Sequence, residues 1–169
     1  MKSILFITVL SFLLIGCGKK TVNDYMNNAQ KNLAAKQYTQ ALKNFQNVVK
    51  KFPKNAAAPE ALMKIAMIYQ SKKMPDVNAK TSFEKSASYY KQVYDQYPKS
   101  SKAPRALFMS AFIQANELHN YDKAKKYYEL FIKKFPKNEL VTSAKEEIKN
   151  MGLPPEKIIE KKTNNNKSV

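Results

Sequence analysis

The chain has 169 residues, with 30 Lys plus Arg against 13 Asp plus Glu and a formal net charge of +17. With 44% apolar residues, ten Tyr and nine Phe, it has the material for one hydrophobic core and is not a fully disordered polymer. Three Gly, one Cys and one His exclude a glycine-rich phosphate loop, a disulfide framework and a cysteine-based zinc site, and leave almost none of the usual acid, base or metal machinery.

The N-terminal residues read as an address. Met1, Lys2 and Ser3 form a short positive region, followed by an apolar run from Ile4 to Ile15. That run is shorter than the about 20 residues a membrane-spanning helix needs, and it suits a secretory signal. It ends in Leu14, Ile15, Gly16 and Cys17, with Gly18, Lys19 and Lys20 after it. These residues resemble a bacterial lipobox: Gly16 is small enough for the peptidase, and the Cys17 thiol carries the acyl chains. The resemblance divides the chain into a signal peptide over 1–16, a lipidated tether over 17–23, a folded domain over 24–151 and a polar, partly disordered tail over 152–169.

The middle of the chain repeats itself. Phe52-Pro53-Lys54-Asn55, Tyr97-Pro98-Lys99-Ser100 and Phe135-Pro136-Lys137-Asn138 share one frame, and each Pro is followed eight residues later by Ala61, Ala106 or Ala144. Ahead of the three Pro residues run Tyr38, Ala41, Phe45, Val48; Phe83, Ser86, Tyr90, Val93; and Tyr121, Ala124, Tyr128, Phe131, at the same spacing. Apolar residues at i, i+3, i+4 and i+7, as in Leu42, Phe45, Val49, make these segments helical, and no segment alternates as a strand does. The spacing predicts helices near 24–35, 38–51, 57–71, 81–96, 101–118, 121–134 and 139–150. Each Pro stops the helix before it, and Asn55, Ser100 and Asn138 stand where the next helix wants a cap.

This pattern resembles the tetratricopeptide repeat (TPR) family over roughly residues 24–151. The resemblance implies an all-α solenoid of about three helix pairs plus a C-terminal capping helix. It places the family's small residues at Ala29, Ala66 and Ala111 on first helices and at Ala41, Ser86 and Ala124 on second helices. The first-helix aromatic position is kept only by Tyr69, with Asn32 and Gln114 in the other copies, and the turns inside the pairs lack Gly. The family binds partners on the face of its first helices, which carries Met26, Met63, Met67, Phe108 and Phe112 over as a candidate partner-binding groove. Met is well suited to a surface that adapts to its partner.

The lipobox and the repeats together resemble the BamD-like outer-membrane assembly lipoproteins, and the repeats alone the TPR domain of YbgF-type Tol-associated proteins. The implied function is a non-enzymatic scaffold, lipid-anchored in a bacterial envelope at the outer membrane and facing the periplasm. Its partners are a protein or peptide segment and, through the anchor, the membrane. No cofactor, metal or small-molecule substrate is expected. The cations point the same way: Arg105 is the single arginine, and Lys, a mobile point charge, is a poor reader of bases, so nucleic acid is not an expected partner. The alternative is a basic module that binds anionic lipid headgroups or envelope polymer. His119 and the Glu146, Glu147 pair read as surface residues.

Overall fold

The computed structural model describes residues 19–154 and 156–160. Cys17, its neighbours Leu14, Ile15 and Gly16, the apolar run from Ile4 and the residues after 160 lie outside the described residues. Seven helices follow one another: α1 (Val22–Ala34), α2 (Tyr38–Lys51), α3 (Ala57–Gln70), α4 (Ala79–Gln96), α5 (Ala103–Asn116), α6 (Tyr121–Lys134) and α7 (Val141–Asn150), with a short helix over 156–160. There is no strand among the described residues. No helix of these residues is long and apolar enough to cross a membrane.

Each helix packs chiefly on the helices before and after it in sequence, as a solenoid requires. Close approach is possible because Ala29, Ala41, Ala66, Ser86, Ala111 and Ala124 are all fully buried, and small side chains let two helix axes come together. Serine takes the place of alanine in the middle pair without leaving a buried polar group unsatisfied. The Ser86 hydroxyl donates to the Ala66 carbonyl at 2.8 Å, which joins the two small positions of that pair directly. Ser82 donates to the Tyr69 carbonyl at 2.6 Å and Ser110 to the Ala87 carbonyl at 2.8 Å. Both are buried hydroxyls that hold α4 against its two neighbours.

The three Pro loops share one geometry. Phe52, Tyr97 and Phe135 end their helices at φ near −130° (−133°, −132° and −130°) with ψ between 51° and 55°. Each N–H still reaches back four residues, and each carbonyl accepts from the N–H of Asn55, Ser100 or Asn138. The expected caps act slightly early. Asn55, Ser100 and Asn138 accept from the N–H two residues on, Ala57, Lys102 and Leu140. They therefore shape the turn leading into the helix, while the N-cap positions are Ala56, Lys102 and Leu140. This turn shortens α5 to Ala103 at its start. Two other helices start two residues earlier than the periodicity predicts, because Thr21 and Asp24 form a capping box at α1 and Asn78 caps α4. The bond from the Thr21 N–H, together with its hydroxyl, holds the Asp24 carboxyl below the usual carboxylate range.

The turns inside the pairs lack Gly, so Lys36, Lys72 and His119 take the left-handed conformation at φ of 57°, 56° and 51°. The repeat units are also tied to each other: the Tyr97 hydroxyl donates to the Pro53 carbonyl at 2.8 Å, joining the first Pro loop to the second.

The core has two parts, one built from α1 to α4 with Ala106 and Ile113 of α5, and one from α5, α6 and Ala144 of α7. In the second, Tyr128 is fully buried and its hydroxyl has no hydrogen-bond partner among the described residues. Burial raises its pKa, and the Glu147 carboxylate adds to the effect through its charge and as an acceptor that falls short of full hydrogen-bond geometry. An unpartnered buried hydroxyl carries its desolvation penalty with no bond to offset it. Tyr128→Phe is therefore expected to raise stability by about 1 kcal/mol, read as an increased denaturant midpoint. A loss of similar size would mean that the hydroxyl is bonded.

Candidate functional site

The first helices α3 and α5 are separated enough to leave a cleft of about 660 Å³ between them, closed at one end by 138–140. Its floor is apolar and its rim is charged. Met63 and Met67 stand at i and i+4 on α3, so both face this side. They are not equivalent. Met63 is only 6% exposed and belongs to the core, touching the cleft along one edge. Met67, one turn on, is 47% exposed and is one of three large hydrophobic residues left open among the described residues. From α5, Phe108 presents an edge to the cleft while its ring is held from behind by Tyr128 and Phe131, at centroid distances of 5.4 and 5.8 Å.

The rim is organised around Glu60, whose carboxylate meets Lys64 at 3.6 Å and Lys102 at 3.2 Å. The second contact bridges the start of α3 to the turn before α5. Arg105 is exposed on the same rim and pairs with no carboxylate among the described residues. Its guanidinium can offer a planar, bidentate donor pair to an incoming carboxylate.

The cleft gathers three of the five candidate groove residues. Met26, on α1, is half-buried against the first core cluster, and Phe112 is half-buried against the second. Neither lines the cleft. Phe112 lies one turn beyond Phe108, where the chain has come under α7: its carbonyl accepts from the Asn116 side chain, which also reaches Glu147 at 3.2 Å. Met109 and Leu140 do line the cleft and were not among the sequence candidates. Leu140 was findable, because it follows the third Pro loop at the place where the next first helix begins.

A second, more polar hollow of about 560 Å³ lies between the end of α5, α7 and the short helix, with His119, Tyr121, Glu146 and Glu147 around it. Tyr121 and His119 approach to 3.4 Å. Among the described residues, no three His, Cys, Asp or Glu side chains gather into a group able to hold a metal ion.

Near the cleft, the buried Tyr90 hydroxyl bonds the Gln70 side chain at 2.9 Å. Burial pushes its pKa up to about 12, against the opposing pull of Arg105. The folded state thus favours the neutral phenol. The resulting stability is complete below the ordinary value of 10.0 and is lost as pH rises through about 12. Chemical denaturation across that window should show a falling midpoint, with a shallower fall in Tyr90→Phe. Equal slopes would remove Tyr90 as a contributor.

The tetratricopeptide repeat family matches three stretches of the chain, residues 28–55, 60–100 and 105–138. The chain belongs to the tetratricopeptide repeat family. No curated protein matches it. The three TPR matches fall on the pairs α1–α2, α3–α4 and α5–α6, so the cleft lies between the first helices of the second and third TPR units, with α7 beyond the last. TPR domains bind protein or peptide partners and serve generally as non-enzymatic scaffolds.

Proposed function

We propose that this TPR protein is a non-enzymatic, lipid-anchored scaffold of a bacterial envelope, held through Cys17 at the outer membrane and facing the periplasm, where it captures a protein segment in the cleft between α3 and α5. The observation that carries the binding part is the exposed Met67 beside the Phe108 edge, with the unpaired Arg105 on the rim. A partner segment with one or two apolar anchors and an acidic flank fits both features. The anchor part rests on the sequence Leu14, Ile15, Gly16, Cys17. A role in outer-membrane protein assembly, of the kind that BamD-like lipoproteins perform, agrees with the pairing of a lipobox and repeats.

Few residues dominate an interface, and they sit at its apolar centre. Met67→Glu places a charge at that centre and leaves the buried core untouched, so the circular dichroism spectrum should stay helical. Recovery of the envelope partner from detergent extracts should fall at least about tenfold, the change that a loss of 1.4 kcal/mol produces. Lys43→Glu, exposed on the second helix α2, should leave recovery intact. Normal recovery with Met67→Glu and loss with Lys43→Glu would move the function away from the cleft.

A further inference from the structure

The charge of this chain is not spread evenly over its two edges. Because the helices alternate, the N-terminal end of α1 and all three Pro loops lie along one edge. Lys19 and Lys20 adjoin Phe52 and Asn55 of the first loop. The second loop is bonded to the first through Tyr97 and Pro53, and it meets the third across the end of the cleft. The segments 19–21, 48–56, 93–102 and 131–140 on this edge hold ten lysines against Asp95 and Glu139. The opposite edge, over 31–37, 67–78 and 113–120, holds four lysines against Asp76 and Glu117.

All ten lysines are exposed, and among the described residues only Lys102 meets a carboxylate. Two are used at the end of α1: Lys51 donates to the Tyr25 hydroxyl at 2.6 Å, and Lys20 lies over the same ring. The macrodipole accounts for lysines in the last turns of α2 and α6. It does not account for Lys54, Lys99 and Lys137, which lie in the loops beyond those helix ends.

We infer that this edge docks on anionic phospholipid headgroups and sets the TPR stack in a fixed orientation on its membrane. The inference rests on the reading of Cys17 as the lipid anchor. Lys19 is two residue steps from Cys17, with Gly18 between them, a reach of at most about 7 Å. That holds the Lys19 and Lys20 end of this edge within one Debye length of the headgroups, about 8–10 Å at ordinary salt, and the rest of the edge continues from it. An edge made of lysine, with no arginine in these segments, suits diffuse attraction to a charged surface better than recognition of one defined group. An acyl anchor with a neighbouring polybasic patch also binds more firmly than either alone. The closed end of the cleft lies on this same edge, so docking would bring Lys102 and Leu140 nearest the bilayer.

The test uses the full chain, processed and lipidated in a bacterial host, purified in detergent and reconstituted into vesicles. One set is phosphatidylcholine, the other equal parts phosphatidylcholine and phosphatidylglycerol, both with a nitroxide-headgroup lipid. Acylation consumes the Cys17 thiol, so Ala56→Cys on the loop edge or Ala35→Cys on the opposite edge, both exposed, provides the single site for a thiol-reactive fluorophore. The Ala56 probe should be quenched well above the Ala35 probe on the anionic vesicles. That difference should vanish in high salt, on neutral vesicles and in the Lys54→Glu, Lys99→Glu, Lys137→Glu triple variant, while the protein stays vesicle-bound throughout. Equal quenching of the two probes on anionic vesicles would overturn the docking edge. Failure to sediment with neutral vesicles would overturn the anchor instead. Docking would then stand only if the protein still sediments with phosphatidylglycerol vesicles with its Ala56 probe quenched, and it falls otherwise.

Discussion

Phe131→Ala should cost about 3–5 kcal/mol, the range for emptying a fully buried aromatic site, and leave the third TPR unit unfolded or nearly so. Phe131 is fully buried and joins Phe108 and Phe135, with ring centroids 5.8 Å away in each case. Ala124 and Tyr128 belong to the same cluster. Truncation removes the packing that holds the Phe108 ring behind the cleft, so the loss reaches the site as well as the fold. In a solenoid each unit is supported mainly by its neighbours. The damage should therefore concentrate in α5, α6 and α7, read by hydrogen exchange as lost protection there with α1 to α3 still protected. A drop below about 1 kcal/mol would place Phe131 at a tolerant position and put the register of the third unit in error.

Cys17→Ser is the second large effect, and it is all or none. A hydroxyl in place of the thiol cannot take the diacylglyceryl group, so fatty-acid labelling should disappear and the leader should remain uncleaved. Several acyl chains on one residue hold a protein stably at a membrane, whereas one chain binds only marginally. The wild-type protein should thus resist extraction by salt and alkali. Fatty-acid label retained by Cys17→Ser would show that the lipid is attached elsewhere, and the lipobox reading would fail.

The repeat frame was legible because the same physical need recurs three times. A Pro ends each second helix, an Asn or Ser closes each loop, and small residues meet where the helices cross. All six predicted small positions are fully buried, Ser86 included, although the bond from its hydroxyl to the Ala66 carbonyl depends on how the two helices pack. Other features depend on geometry that residue spacing does not encode. The left-handed turns at Lys36, Lys72 and His119 lack the glycine that usually marks them. Whether a first-helix residue faces the cleft depends on what packs over it. Phe108 and Phe112 are one turn apart on the same helix, yet Phe112 packs away from the cleft as the chain comes under α7. Met63 and Met67 share a face, yet one belongs to the core and the other stands open. Periodicity selects the face and cannot say how much of it is covered.

The partner is expected in the cleft between α3 and α5. Photo-crosslinking in intact cells tests this placement most directly, with a photoreactive amino acid placed at Met67 in one strain and at Lys43, on the exposed face of α2, in another. Mass spectrometry then maps the crosslinked peptide. A discrete adduct is expected from Met67 to a segment carrying apolar anchors next to Asp or Glu, with no such adduct from Lys43, and it should be lost when Arg105→Glu is added to the Met67 strain. A discrete protein adduct from Lys43 with none from Met67 would contradict the placement.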